Sequence, residues 1–288
     1  MFRNAGQSRP FKYAMLESLR PYVDKVPLVS GIYRGVRDEV RSLRLRPIQT
    51  KLGFEFAGDI RMQKGSFEPE EVAFISKQLV NMDVFVDVGA NIGYYTCIAR
   101  AAGKRVIAIE PLDHNLKCLY RNLEANAWAD VEVFPLGVSS EPGLVNLYGG
   151  GTGASLIGGW AGGSATFRRT IPVSTLDIVL GERFAGRKLL VKVDVEGGEQ
   201  QVLAGAIRTL STSPAPLWLL EICLTEHHPG GLNALFAETF ATFRAHGYTA
   251  WTVGFEREVL ATDVARWVKQ RGRDFGSHNF VFSRDHRF

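Results

Sequence analysis

The chain has 288 residues, of which 45% are hydrophobic and 22% charged. That is enough apolar material to bury a sizeable core, fits one large α/β domain with an extension or two small domains, and excludes a disordered chain. Three cysteines (Cys97, Cys118, Cys223), an odd number without close spacing, argue against a disulfide framework or a zinc knuckle and suit a reducing compartment, so a cytoplasmic location is expected. The net charge of +4 is unevenly spread: residues 1–51 hold 11 Lys and Arg against 4 Asp and Glu, and the remainder holds 23 against 26, so the mildly acidic main body is not expected to bind nucleic acid.

Apolar runs fall well short of the roughly 18 residues needed to cross a bilayer, and no apolar core precedes a small-residue cleavage site, so neither a membrane span nor a signal peptide is expected. Residues 1–52 read as a basic helical extension and residues 53–288 as the main domain. In the extension, Ile32, Val36, Val40 and Leu43 share one side of a helix, with Arg34, Arg37, Arg41 and Arg44 opposite. Such a helix either packs its apolar stripe on the main domain or touches an anionic membrane surface or acidic partner through residues 30–46.

From about residue 51 a strand–helix alternation begins. A polar stretch runs to Gly65, and residues 68–80 read as a helix with Pro69 in its first turn. The run Val84–Val88 reads as a strand that ends in the turn 89–93, followed by a helix over 94–102 that stops at Gly103. A strand over 105–109, a helix over 115–125 and a strand over 131–136 follow, which implies a parallel sheet with helices on both faces. Residues 144–148 and 170–173 read as a hairpin around residues 149–163, which contain eight glycines and Trp160. That segment is too glycine-rich for helix or strand and reads as a mobile loop, either a plain surface loop or a lid over an acceptor pocket. Further strands are expected over 189–193, 217–222, 249–253 and 280–282, with helices over 200–210 and 232–246.

In an open parallel sheet, ligands bind beyond the carboxyl ends of the strands, where strand order reverses. Three motifs end strands at that edge: Asp87–Gly93 (DVGANIG), Ile109-Glu110-Pro111, and the run from Val193 to Gly197 (VDVEG). The first lacks the G-x-G-x-x-G spacing that sets a helix N-terminus against a pyrophosphate. Glu110 follows 21 residues after Gly89, at a position where a carboxylate accepts both hydroxyls of a ribose. Together they point to an adenosine without a diphosphate, as in S-adenosyl-L-methionine. The third motif crowds Asp194, Glu196 and Glu199 at one strand end, where mutual repulsion raises at least one pKa and favours a general base. Alternatively, Glu199 serves the following helix and only Asp194 faces the ligand.

Residues 84–93 (VFVDVGANIG), 108–111 (AIEP), Asn115 with Asn122, 170–176 (TIPVSTL), 192–199 (KVDVEGGE) with 202–206, and the upstream run 67–71 (FEPEE) resemble the FkbM family of methyltransferases over roughly residues 60–225. The resemblance implies a seven-stranded, doubly wound, Rossmann-like α/β sheet of the class I methyltransferase type with its last strand antiparallel, and S-adenosyl-L-methionine as cofactor. It places Asp87, Gly89, Asn91 and Gly93 at the methionine end, Glu110 at the ribose, and Gly137 and Val138 at the adenine. The same matched segments put Glu68, Ala90, Pro111, Asn115 and Asp194 on the cofactor as well. It implies O-methylation of a hydroxyl on a small-molecule or glycan acceptor, a sugar or a secondary metabolite. One departure is Gly198, where family members often have His.

Asp194 or Glu196 is expected to take the hydroxyl proton or orient the hydroxyl, with His227 and His228 as second candidates. No ligand spacing supports a metal site built from Asp194, Glu221 and one of these histidines. Two other classes fit less well. An NAD-dependent oxidoreductase needs the phosphate-cradling glycines that are missing, and a catalytically silent S-adenosylmethionine-binding protein does not need the carboxylate cluster.

Overall fold

The aliphatic, β-branched runs of the sequence lie at the centre of a sheet covered on both faces, which is why they do not alternate with polar residues. The computed structural model describes residues 46–149, 153–163, 165, 168–253 and 257–285. The amphipathic helix expected in the basic arm lies outside the described residues.

The described chain opens with a small hairpin of β1 (Ile48–Gln49) and β2 (Glu55–Phe56). Phe54 and Phe56 are buried, and the Ala57 and Glu55 amides donate to the side-chain oxygens of Asn122 and Asn126 at 2.7 and 2.8 Å. Residues 48–56 thus form a hairpin whose Phe54 and Phe56 lie in the core. Next come α1 (Ile60–Lys64), within the stretch read as merely polar, and α2 (Pro69–Leu79), with Pro69 in its first turn as expected.

The alternating part then runs β3 (Val84–Val88), α3 (Tyr94–Ala101), β4 (Arg105–Ile109), α4 (Asp113–Ala125) and β5 (Glu132–Phe134). Beyond it lie β6 (Gly137–Val138), β7 (Gly143–Tyr148), β8 (Arg168–Ser174) and α5 (Leu176–Leu180). The chain returns to the main sheet with β9 (Leu189–Val193), α6 (Glu199–Ala204), α7 (Ile207–Leu210), β10 (Leu217–Glu221) and α8 (Phe236–Ala245). It ends with β11 (Thr249–Thr252), β12 (Glu258–Val259), α9 (Ala261–Gln270) and β13 (Asn279–Ser283).

The main sheet has the order β12-β11-β13-β10-β9-β3-β4-β5. Strands β10, β9, β3, β4 and β5 pair in parallel, and the last strand, β13, is antiparallel to both neighbours, as the resemblance implies. The strand count is eight rather than seven because the short β12 adds an antiparallel edge to β11. Strand order reverses between β3 and β9, which opens a crevice at their carboxyl ends.

Successive side chains of β3 go to opposite faces. Val84, Val86 and Val88 join a core with Leu203, Phe240 and Trp267, while Phe85 joins Phe74, Ile75 and Ile98. Burial of each large apolar side chain contributes about 1.5–3 kcal/mol.

Three expectations change. The helix expected over 200–210 divides at Gly205, whose Cβ would stand 2.2 Å from the Ser139 carbonyl oxygen, so the chain there passes too close to the β6 connection for a continuous helix carrying a side chain. The glycine-rich segment is an anchored fold-back rather than a free loop. Ser155 bridges to Tyr148, and Trp160 and Ser155 are both buried. The amphipathic α9, with Val264 and Trp267 inward, was not expected. Among the described residues, no helix is long and apolar enough to cross a membrane.

Candidate active site

The turn after β3 is set by close backbone approach. Gly89 has φ +83°, and a Cβ there would lie 1.9 Å from the Asp194 carbonyl oxygen. The Gly89 and Ala90 amides donate to the Ile109 carbonyl at 2.9 and 3.0 Å, and the Asp194 amide donates to the Val88 carbonyl at 2.9 Å. The carboxyl ends of β3, β4 and β9 are thus tied together.

Glu110, at the end of β4, is buried and bridges this turn to α4. One oxygen accepts the Asn91 amide at 2.9 Å, and the other accepts the Leu112 amide at 2.9 Å and Asn115 Nδ2 at 3.0 Å. Burial pushes its pKa up to about 7, against the lowering effect of these three donors.

These residues line a cavity of about 640 Å³ at the strand-order reversal, a size typical of small-ligand sites. Glu68, Gly89, Ala90, Asn91, Glu110 and Pro111 face it, as do Asn115, Gly137, Val138, Asp194 and Glu196. Asp87 and Gly93 do not reach its wall. Asp87 is buried one layer behind, where it accepts the Thr96 hydroxyl at 2.7 Å. Gly93 (φ +86°) begins α3, and a Cβ there would collide with Leu119 at 2.6 Å.

Two polar atoms on the wall, Asn91 Oδ1 and the Tyr94 hydroxyl, are buried and have no hydrogen-bond partner among the described residues. Buried polar groups are normally satisfied, so both fit a polar ligand in this cavity. Glu68 sits at φ 41°, with its carboxylate accepting the Tyr95 hydroxyl at 2.5 Å.

The floor is organised around Lys192, which the sequence reading did not single out. Its ammonium is buried, donates to Asp194 Oδ2 at 2.8 Å and lies 4.7 Å from the centre of the Tyr95 ring. Burial works against its charge, but Asp194 and Asp87 hold it protonated, above its ordinary value. The only advance signal was a lysine inside an otherwise apolar strand.

The carboxylates nearby divide by role. Glu196, in the left-handed region at φ 56°, accepts the Trp160 indole N–H at 2.6 Å, and its backbone carbonyl accepts the Ser155 hydroxyl at 2.5 Å. Burial, reinforced by the Asp194 charge, pushes Glu196 up to about 7. Glu199 lies off the cavity and accepts the Gly197 amide at 2.8 Å, so it closes its own loop. Burial pushes it up to about 8. Glu221, at the end of β10, faces the cavity and is pushed up to about 9, first by the Asp194 charge and then by burial. Crowding does raise pKa values here, though desolvation is the larger cause at Glu196 and Glu199.

His227 and His228 pack beside Trp160, with ring centres 5.8 and 4.6 Å away, and are not on the cavity wall. The one cluster of metal-ligand type among the described residues is Cys223, Glu226 and His278. The Arg273 guanidinium already fills that position, 2.6 Å from both Glu226 Oε1 and His278 Nδ1.

The doubly wound sheet, with this cavity at its reversal point, has the class I methyltransferase-like α/β fold. The model of the methyltransferase FkbM domain matches residues 87–250, more than half of the sequence, and the chain belongs to the FkbM methyltransferase family. No curated protein matches the sequence. Among solved structures, the chain is similar to precorrin-6y C5,15-methyltransferase from Geobacter metallireducens GS-15, with 15% identity, 79% of this chain and 90% of that one covered, and a TM-score of 0.38. It is also similar to the O-methyltransferase from Bacillus cereus in complex with SAH, with 12% identity, coverage of 77% and 83%, and a TM-score of 0.41. The SAM-dependent methyltransferase from Agrobacterium tumefaciens gives 9% identity, coverage of 83% and 69%, and a TM-score of 0.43.

Proposed function

We propose that the cavity binds S-adenosyl-L-methionine and that the protein O-methylates a hydroxyl of a sugar, glycan or secondary metabolite. The observation that carries this reading is the buried Glu110 carboxylate. It faces a cavity at the strand reversal while holding the Asn91 amide, on a turn with no pyrophosphate cradle. In this reading Glu68 and Gly89–Asn91 hold the methionine end, Glu110 the ribose, and Pro111, Asn115, Gly137 and Val138 the adenine. Asp87 and Gly93 support the turn from behind. The free Asn91 Oδ1 and Tyr94 hydroxyl gain partners from the ligand.

When bound, the donor supplies a methyl carbon whose bond to a positively charged sulfur breaks, leaving its electron pair on sulfur, as the bond to the acceptor oxygen forms. The protein's part is alignment, exclusion of water and removal of the hydroxyl proton. Glu196 receives that proton. Its pKa near neutrality matches the task, and its second oxygen accepts no hydrogen bond among the described residues. Asp194 is held by Lys192 and orients the hydroxyl. The Trp160 segment covers the Glu196 side of the cavity.

The test is transfer of a labelled methyl group from the donor to an extract component, compared among wild type, Glu196→Gln and Asp194→Asn. The reading expects wild-type transfer, a loss of about 100-fold or more for Glu196→Gln, and a smaller loss for Asp194→Asn. Full turnover in both variants would remove both carboxylates from the mechanism.

A further inference from the structure

A second hollow of about 670 Å³ shares Glu68 and Glu221 with the donor cavity. In-line transfer needs the acceptor oxygen beside the donor's methyl group, so a space that shares wall side chains with the donor cavity is where the acceptor can stand. Glu221 stands on both walls, and Asp194 and Glu196 line the donor cavity on its other side.

Its lining is one-sided in charge. Glu70 and Glu71 face it together with Glu68 and with Glu221, whose raised pKa leaves it uncharged at neutral pH, and among the described residues Arg257 is the one Lys or Arg on its wall. The Arg257 charge is already spent on Asp263 at 2.8 Å and Asp274 at 3.4 Å. His278 is pushed below its ordinary value by burial and by the Arg273 guanidinium, and so is neutral at neutral pH. Glu71 accepts Asn279 Nδ2 at 2.7 Å, while Glu70 is exposed. Phe275, packed edge-on against Trp267 at 5.2 Å, adds one apolar face.

We propose that this hollow is the acceptor site and that it takes a polyhydroxylated, carbohydrate-like compound with no negative charge. Carboxylates accept charge-assisted hydrogen bonds from neighbouring hydroxyls, and an aromatic face packs against ring C–H groups. A phosphate, diphosphate or carboxylate on the acceptor meets the like charge of Glu70 and Glu71, with no free cation among the described lining residues to balance it. The inference rests on the methyltransferase reading above and narrows its substrate class to uncharged or cationic polyols, which excludes sugar phosphates, nucleotide-linked sugars and uronic acids.

Gly276 makes the test clean. It lines the hollow, its backbone is outside the left-handed region, and a Cβ there meets nothing within 4 Å. Gly276→Trp therefore plugs the hollow without straining the fold, and Gly276→Ala is the control. The probe is a labelled methyl donor incubated with a metabolite extract of the source cells that has been split on an anion exchanger at neutral pH. Binding of S-adenosylhomocysteine is measured in parallel by calorimetry. The expected result is label in the unretained fraction, and a loss of transfer of about tenfold or more in Gly276→Trp. Its affinity for S-adenosylhomocysteine should stay within about twofold of wild type. Label confined to the retained, anionic fraction overturns the inference, as does full transfer by Gly276→Trp. Wild type that does not bind S-adenosylhomocysteine defeats the donor reading itself, which is a distinguishable failure.

Discussion

The Trp160 indole donates to Glu196 Oε2 at 2.6 Å, so a segment some 36 positions earlier in the chain holds the carboxylate at the end of β9. This bond stabilises the ionised form of Glu196 and opposes the burial that raises its pKa to about 7. Trp160→Phe keeps the ring and loses the donor. The pH–rate profile of methyl transfer then shows its basic-group limb moving up by about one pH unit. An unmoved limb would mean that Glu196 is not the titrating group.

Lys192 is buried, pairs with Asp194 at 2.8 Å and is held charged by Asp194 and Asp87 together. Lys192→Met leaves those carboxylates unpaired and is expected to cost about 3–5 kcal/mol of stability. Urea unfolding measures it. A variant as stable as wild type would show that the ion pair does not organise the floor.

Glu199 stays protonated in the native state up to about pH 8, whereas in the unfolded chain it ionises near its ordinary value of 4.5. Between those values the unfolded state binds fewer protons, so native stability falls as pH rises from about 4.5 to 8. Glu199→Gln still accepts the Gly197 amide but cannot ionise. Urea midpoints for wild type at about pH 5 and about pH 8.5 should differ more than those of the variant. Equal pH dependence would mean that Glu199 ionises freely in the folded protein.

The parts of the fold that were legible are those in which one local rule dominates. Val84–Val88, Arg105–Ile109 and Leu189–Val193 are strands of mostly apolar, β-branched residues, and Glu110 stands at the end of β4 on the cavity wall. What escaped depends on contacts distant in sequence. Glycine content at 149–163 read as freedom, whereas Ser155 and Trp160 tie the segment to Glu196. Lys192 and Glu221 look like strand interruptions until the sheet sets β9 beside β10 and makes both neighbours of Asp194. Asp87 matched a motif by spacing, yet strand alternation turns it away from the cavity toward Thr96.

The donor site is the claim that everything functional here depends on. Calorimetric titration with S-adenosylhomocysteine, on wild type and on Glu110→Ala shown to be folded by its melting transition, tests it most directly. Saturable binding to wild type is expected, weakened about 10- to 150-fold in Glu110→Ala by loss of a charge-assisted hydrogen bond. No binding to wild type, or equal affinity in the two proteins, would contradict it.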